Sequence, residues 1–124
     1  MERTPFYITT AIPFVNAKPH VGFALEIIQT DALARYQRLF GRDVRFLTGS
    51  DENSLKNVQT AEAEGIPIAQ LVARNAHFFA DMKRYLNLSN DDFIRTSSEE
   101  RHRTGAQKLW RACVERGDIY KKHY

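Results

Sequence analysis

Two kinds of hydrophobic period run along the chain. Phe6-Tyr7-Ile8-Thr9-Thr10-Ala11-Ile12 is a continuous aromatic and β-branched run, the pattern of a buried strand, and Pro13 stops it. Residues 13–19 hold Pro13, Asn16, Ala17, Lys18 and Pro19 and read as a loop. From His20 the spacing changes to three and four. Val21, Leu25, Ile28, Ala32, Tyr36 and Leu39 predict an amphipathic helix with those residues on its buried face, closed by Gly41. Val44–Thr48 is a second short strand, and Gly49-Ser50-Asp51 the turn after it. A helix follows to about Glu64, with Gly65 as its C-cap. Pro67 suits the first turn of another helix, whose buried stripe is Ile68, Leu71, Val72, Phe79, Met82 and Leu86. Asn90-Asp91-Asp92 is a turn and Phe93–Thr96 a third strand. Ser97 followed by Glu100 predicts a capping box for a last helix that buries Ala106, Leu109, Trp110, Cys113 and Val114 and ends near Gly117. Ile119-Tyr120 is a candidate strand stub.

Strands separated by helices cannot pair as tight hairpins; they pair parallel through right-handed crossovers. The expected fold class is therefore α/β, the first half of a Rossmann-like doubly wound parallel sheet of about three strands with flanking helices. No internal repeat and no Pro/Gly/Ser-rich linker interrupts the chain, so residues 1–124 read as a single domain. Hydrophobic residues at 43% and charged residues at 27% exclude a disordered or low-complexity class. No apolar run approaches a membrane span, and the opening Met-Glu-Arg-Thr-Pro builds no secretory segment. Cys113 is the one cysteine, which excludes an internal disulfide and a cysteine-rich zinc site and fits a reducing cytoplasm. The net charge of +3 sits entirely in residues 105–124, where Lys108, Arg111, Arg116, Lys121 and Lys122 face Glu115 and Asp118. A basic last turn complements the helix dipole, whereas a nucleic-acid surface would be basic over a wide area.

Doubly wound sheets place ligands outside the carboxyl ends of their strands. That points to residues 13–22 after the first strand and 49–54 after the second. The first loop delivers Pro19-His20-Val21-Gly22-Phe23 to a helix N-terminus, where free N–H groups and the dipole favour phosphate. His20 can donate to a phosphate oxygen, and Gly22 lacks a Cβ, so a base or ribose could approach; equally, this is a capped helix start with a surface histidine. The second loop puts Asp51 where a strand feeds a helix. Its carboxylate can accept from an ammonium or a ribose, or Ser50 or Asp51 is simply an N-cap. If the first two strands are neighbours, the two loops face each other across a crevice suited to a nucleotide and an amine-bearing small molecule.

These residues resemble a known family. The run from Phe6 to Gly22 looks like the opening of a methionyl-tRNA synthetase. Asp31–Leu39 resembles its first helix, and Phe46–Glu52 its second strand and loop. Asp91–Ser97 with Arg101-His102 matches a further stretch. The likeness spans nearly the whole chain. It implies a class I aminoacyl-tRNA synthetase fold and a methionine–tRNA ligase reaction: ATP, with Mg2+, activates methionine to methionyl-adenylate, and the methionyl group passes to tRNA. His20-Val21-Gly22 matches the first three positions of the His-Ile-Gly-His signature. By this resemblance His20 is catalytic, steadying the α-phosphate, and His20, Gly22 and Phe23 occupy the ATP-binding positions. Asp51 matches the aspartate that binds the methionine α-ammonium, and Ala11, Ile12 and Phe14 the amino-acid pocket wall. The implied partners are methionine, ATP and tRNA; no membrane is involved, and the implied location is cytoplasmic.

Three departures qualify that reading. Phe23 replaces the second signature histidine and has no donor for a phosphate oxygen; losing one such donor typically costs about 10²–10³ in rate. Phe14 replaces a usual tyrosine, and Asn53-Ser54-Leu55 replaces His-Gly and a polar residue. The resemblance also stops short of the family's zinc-bearing insertion, the second half of its nucleotide fold and its anticodon-binding domain. The chain therefore reads as the N-terminal half of a catalytic domain, with no metal site of its own and an open sheet edge at the first strand, a hazard for self-association. Two alternatives stay open: a non-catalytic ATP- or amino-acid-binding module, and a half-domain that acts only when paired with another chain. Elsewhere, His77 is expected to pack on its helix's apolar stripe. Cys113, Phe78, Phe79 and Trp110 read as core. Glu99 and His102, three apart, have a spacing known from metal-binding helices, but no second copy exists.

Overall fold

The computed structural model describes residues 4–123. Its elements are β1 (Pro5–Thr9), α1 (Val21–Leu39), β2 (Asp43–Ser50), α2 (Leu55–Glu64), α3 (Ile68–Tyr85), β3 (Asp92–Arg95) and α4 (Glu100–Glu115). The three strands form one parallel sheet in the order β1-β2-β3. Phe6 pairs with Val44 and Ile8 with Phe46; Leu47 pairs with Asp92 and Ser50 with Arg95. The α/β class and the parallel pairing of the first two strands are as expected. Gly49 lies where β2 passes closest to β3: a Cβ there would sit 2.3 Å from the Ile94 carbonyl oxygen, so no larger residue fits without moving a strand.

Element edges differ from the sequence reading where polar groups capture the backbone. β1 stops at Thr9 rather than Ile12, because the Ala11 N–H donates to the Glu26 carboxylate of α1 at 2.7 Å and leaves the ladder. β2 runs on through Gly49 and Ser50 instead of turning there. The α2 N-cap is Ser54, whose Oγ accepts from the Asn57 N–H; neither Ser50 nor Asp51 caps it. Gly65 takes the left-handed conformation as the α2 C-cap, as expected.

The α1 stripe is the main correction. Its buried residues are Phe23, Ile27, Asp31 and Ala34, whereas Val21 is 85% and Leu39 86% exposed, with Leu25, Ile28 and Tyr36 also outward. The two stripes are offset by two residues, about 200° around a helix, so the predicted face is nearly opposite the packed one. The inner face was disguised by Asp31. Burial pushes its carboxyl upward in pKa, but hydrogen bonds from the Ser89 hydroxyl, Arg35 and the Ser89 N–H together hold it below the usual value. Arg38, on the same helix, reaches Ser89 and Asp91. A polar anchor thus sits where an apolar residue was expected.

The core gathers Val15, Phe23, Ile27, Ala34 and Phe46 against Val72, Ala76, Phe79 and Met82 of α3. Phe23 meets Phe79 edge-on, ring centroids 5.2 Å apart. The α3 stripe holds as expected apart from Ile68, which is exposed, and Leu86, which is half-buried. His77 is not packed: its side chain is largely exposed and lies 3.4 Å from Asp81. α4 overturns its prediction too. It buries no residue, Leu109 and Trp110 stand out, and Cys113 is half-buried rather than core. Ser97 forms no capping box, since the helix starts after Glu99 with no side-chain cap. Ile119-Tyr120 forms no strand.

Candidate active site

The two loops singled out by the sequence are joined. Beyond β1 the chain turns at Pro13 and returns to the sheet, so that Phe14 bridges to Asp51 in parallel register and the Asp51 N–H donates to the Pro13 carbonyl at 2.8 Å. A buried bond between the Thr10 and Thr48 hydroxyls, 2.7 Å, ties the strand ends just below. On its far side the first loop is held by Asn75 of α3, whose side-chain amide donates to the Val15 carbonyl at 2.7 Å in the core.

His20 is the N-cap of α1. Its Nδ1 accepts from the Gly22 N–H at 3.1 Å. A neutral imidazole that accepts at Nδ1 carries its proton on Nε2, so the exposed ring offers one N–H donor outward. Gly22 is what permits this pose: a Cβ would lie 2.9 Å from His20 Cε1 and 3.0 Å from Nδ1. The space above Gly22 thus holds the His20 ring, not a vacancy for a ligand. Phe23 is 6% exposed and packed edge-on against Phe79. It forms floor rather than donor in a cavity of about 300 Å³ that His20, Phe14 and Lys18 also line.

Asp51 lies at the other side of the bridge. Its Oδ1 accepts from the Asn53 N–H at 3.0 Å, leaving Oδ2 free for a ligand. Its backbone is clamped from three directions. Thr96 Oγ1 donates to the Ser50 carbonyl and accepts from the Glu52 N–H, and the Asn57 amide reaches the Asp51 carbonyl. Glu52 beside it has a fully buried side chain, satisfied by Arg95 Nε at 2.5 Å and the Ser98 hydroxyl at 2.7 Å. Asp51 and Ile12 line a second cavity of about 380 Å³, with Asn53, Thr96, Ser97 and His102.

The structure therefore brings Ile12 and Asp51 to one cavity and Phe14, His20 and Phe23 to the other, with the Phe14–Asp51 bridge joining the two. Ala11 lines neither cavity; its N–H is held by the Glu26 carboxylate. Phe23 lines the His20 cavity as an apolar floor and brings it no hydrogen-bond donor. The sequence reading did not place Glu26 or His102 here: His102 lines the Asp51 cavity, and Glu26 accepts from the Ala11 N–H. Glu26 joins α1 to residue 11 across fifteen positions, a contact no local pattern announces. Among the described residues, no group of three or more His, Cys, Asp or Glu side chains converges on a metal position, and Glu99 lies outside the helix that carries His102.

The three-stranded parallel sheet with its flanking helices matches the Rossmann-like domain of class I synthetases. Residues 6–124 match the sequence model of the tRNA synthetases class I (M), and the chain belongs to that family. It is 55% identical over 123 residues to a methionine–tRNA ligase of Rhizobium meliloti (strain 1021), covering 99% of this chain and 24% of that protein. The solved methionyl-tRNA synthetase of Mycobacterium tuberculosis, in complex with methionyl-adenylate, superposes with a TM-score of 0.93 at 50% identity, over 98% of this chain and 24% of that one. A LeuRS–tRNA–LeuAMS complex from Agrobacterium radiobacter K84 shares the fold at a TM-score of 0.83 and 21% identity, over 97% of this chain and 16% of that one. The chain spans about a quarter of the length of the curated relatives it matches. No helix among the described residues is long and apolar enough to cross a membrane.

Proposed function

We propose that this chain supplies part of the ATP and methionine sites of a methionine–tRNA ligase, a cytoplasmic activity. ATP, with Mg2+ carried on its phosphates, reacts with methionine to give methionyl-adenylate, and the methionyl group then passes to tRNA. The observation that carries this reading is the Phe14–Asp51 bridge, which joins the loop leading to the His20 helix start to the end of β2, where Asp51 keeps one carboxylate oxygen unpaired. The likeness to a relative solved with methionyl-adenylate supports it.

In this reading Asp51 Oδ2 receives the methionine ammonium. Ala11, Ile12 and Phe14 wall the side chain, while the His20 Nε2–H steadies the α-phosphate as the carboxylate oxygen attacks it. Gly22 serves the ATP side by giving His20 its pose. The chemistry is positioning and charge stabilisation at phosphorus, without a covalent enzyme intermediate. Titration of the chain with L-methionine, followed by calorimetry or amide NMR, tests it. Asp51→Ala and the isosteric Asp51→Asn should each weaken binding by about tenfold or more, the worth of a charge-assisted hydrogen bond. Unchanged affinity in both variants removes Asp51 from this role.

A half-domain that acts only when paired with another chain is the second reading. One observation favours it: the outward apolar face of α1 in a sheet whose β1, among the described residues, pairs with β2 alone.

A further inference from the structure

We propose that His102 is a ligand-contact residue of the Asp51 cavity, its imidazole meeting the amine end of the bound amino acid together with the Asp51 carboxylate. This rests on the reading of Asp51 as the ammonium site. His102 and Asp51 line one cavity of about 380 Å³ from different elements, the first turn of α4 and the end of β2. Of the other polar groups there, Thr96 and Asp51 are partly spent, whereas the Asn53 and Ser97 side chains take part in none of the described hydrogen bonds. Thr96 Oγ1 both donates and accepts within the protein, and Asp51 Oδ1 holds the Asn53 N–H. The His102 imidazole is half-buried, and among the described hydrogen bonds only the residue's backbone N–H takes part, donating to the Glu99 carbonyl. An ammonium carries three N–H donors, and a neutral imidazole brings one acceptor nitrogen. Asp51 Oδ2 and that nitrogen can each take one of the three.

The placement of α4 strengthens the inference. The body of this helix buries nothing, yet its first turn is braced at several points. Arg101 forks onto both Asp92 oxygens at 2.5 and 2.9 Å and donates to Glu99 at 2.5 Å. Glu99 in turn accepts from the Arg95 N–H at 2.9 Å, and Arg95 reaches the buried Glu52 next to Asp51. One polar network thus fixes residue 51 and the residue before His102 on a common frame. Packing of the helix body does not account for such a brace; holding His102 at the cavity wall does.

NMR of the 124-residue chain tests this, with L-methionine and with 4-(methylthio)butanoate, which lacks the amine. The expected result is saturable shifts of the His102 ring protons and the Asp51 amide with one common Kd for L-methionine. His102→Ala should raise that Kd about fivefold to tenfold and leave the weaker affinity for the amine-free acid unchanged. His102→Gln, which keeps an acceptor, should recover part of the loss; an undisturbed amide spectrum in either variant shows the fold intact. If the Asp51 amide shifts saturably while the His102 ring stays still and His102→Ala binds normally, this assignment falls and the Asp51 reading stands. Equal weakening of both ligands makes His102 a packing wall and also overturns the assignment. If neither residue responds to L-methionine, both readings fall.

Discussion

Asp51 and His20, the two residues of the proposed site that carry its polar chemistry, each keep a polar atom the protein does not consume. Each spends one on its own backbone, Oδ1 on Asn53 and Nδ1 on Gly22, and keeps one facing out. Both positions were legible in the sequence, because a doubly wound sheet dictates which strand ends matter. Phe23 was legible only as a departure; its direction depended on Phe79, which lies 56 positions along the chain and meets it in the core. This leads to a prediction at residue scale. Phe23→His would put an imidazole into a site walled by Phe79, where an unpartnered polar group costs about 1–3 kcal/mol. The variant should melt lower than the parent and gain no methionine-dependent pyrophosphate exchange. Exchange activity, or an unchanged melting temperature, would show that the ring turns out toward ligand.

At the scale of elements, strand and helix order was readable because hydrophobic period changes cleanly at Pro13, Gly41 and Gly65. Faces were less readable. α1 carries two apolar stripes, and the choice between them was made by Asp31, a buried carboxylate that a hydrophobic pattern scores as solvent-facing. α4 misled in the other direction: its apolar stripe is real in sequence but has nothing to lie against. What holds the α4 start is charge. The Arg101 guanidinium, helped by the Phe93 N–H and by Arg45, brings the Asp92 carboxyl down to about 2 against a partial opposing effect of burial. A carboxyl depressed in the folded state contributes stability above its unfolded pKa, near 4, and loses it as pH falls toward 2. The full drop corresponds to at most about 2 kcal/mol, and the half-exposed Arg101 side chain reduces this to about 1. Urea unfolding from pH 5 to pH 2 should show the parent losing about that much more than Asp92→Asn. Parallel losses would deny the fork any energetic role.

The whole molecule is a three-stranded sheet with a packed inner layer and an unpacked outer one. Among the described residues β1 is hydrogen-bonded along one side, to β2, and Val21, Leu25, Ile28, Tyr36 and Leu39 form an apolar face along about five turns of α1. Exposed apolar faces beside free strand edges promote association. Sedimentation at rising concentration should therefore show reversible self-association. Leu25→Lys combined with Leu39→Glu should shift the species toward monomer without changing the amide spectrum of the core. A monomer at all concentrations would count against the paired-chain reading.

The bond from Asn75 to the Val15 carbonyl gives α3 a part in the site that its distance from Asp51 conceals. The 13–19 loop is moored at one end to β2 through Pro13 and in its middle to α3 through Val15. It behaves as a hawser between two piers. Only four residues lie between Val15 and His20, so the helix that holds Val15 limits how far His20 can stray from the strand end that holds Pro13.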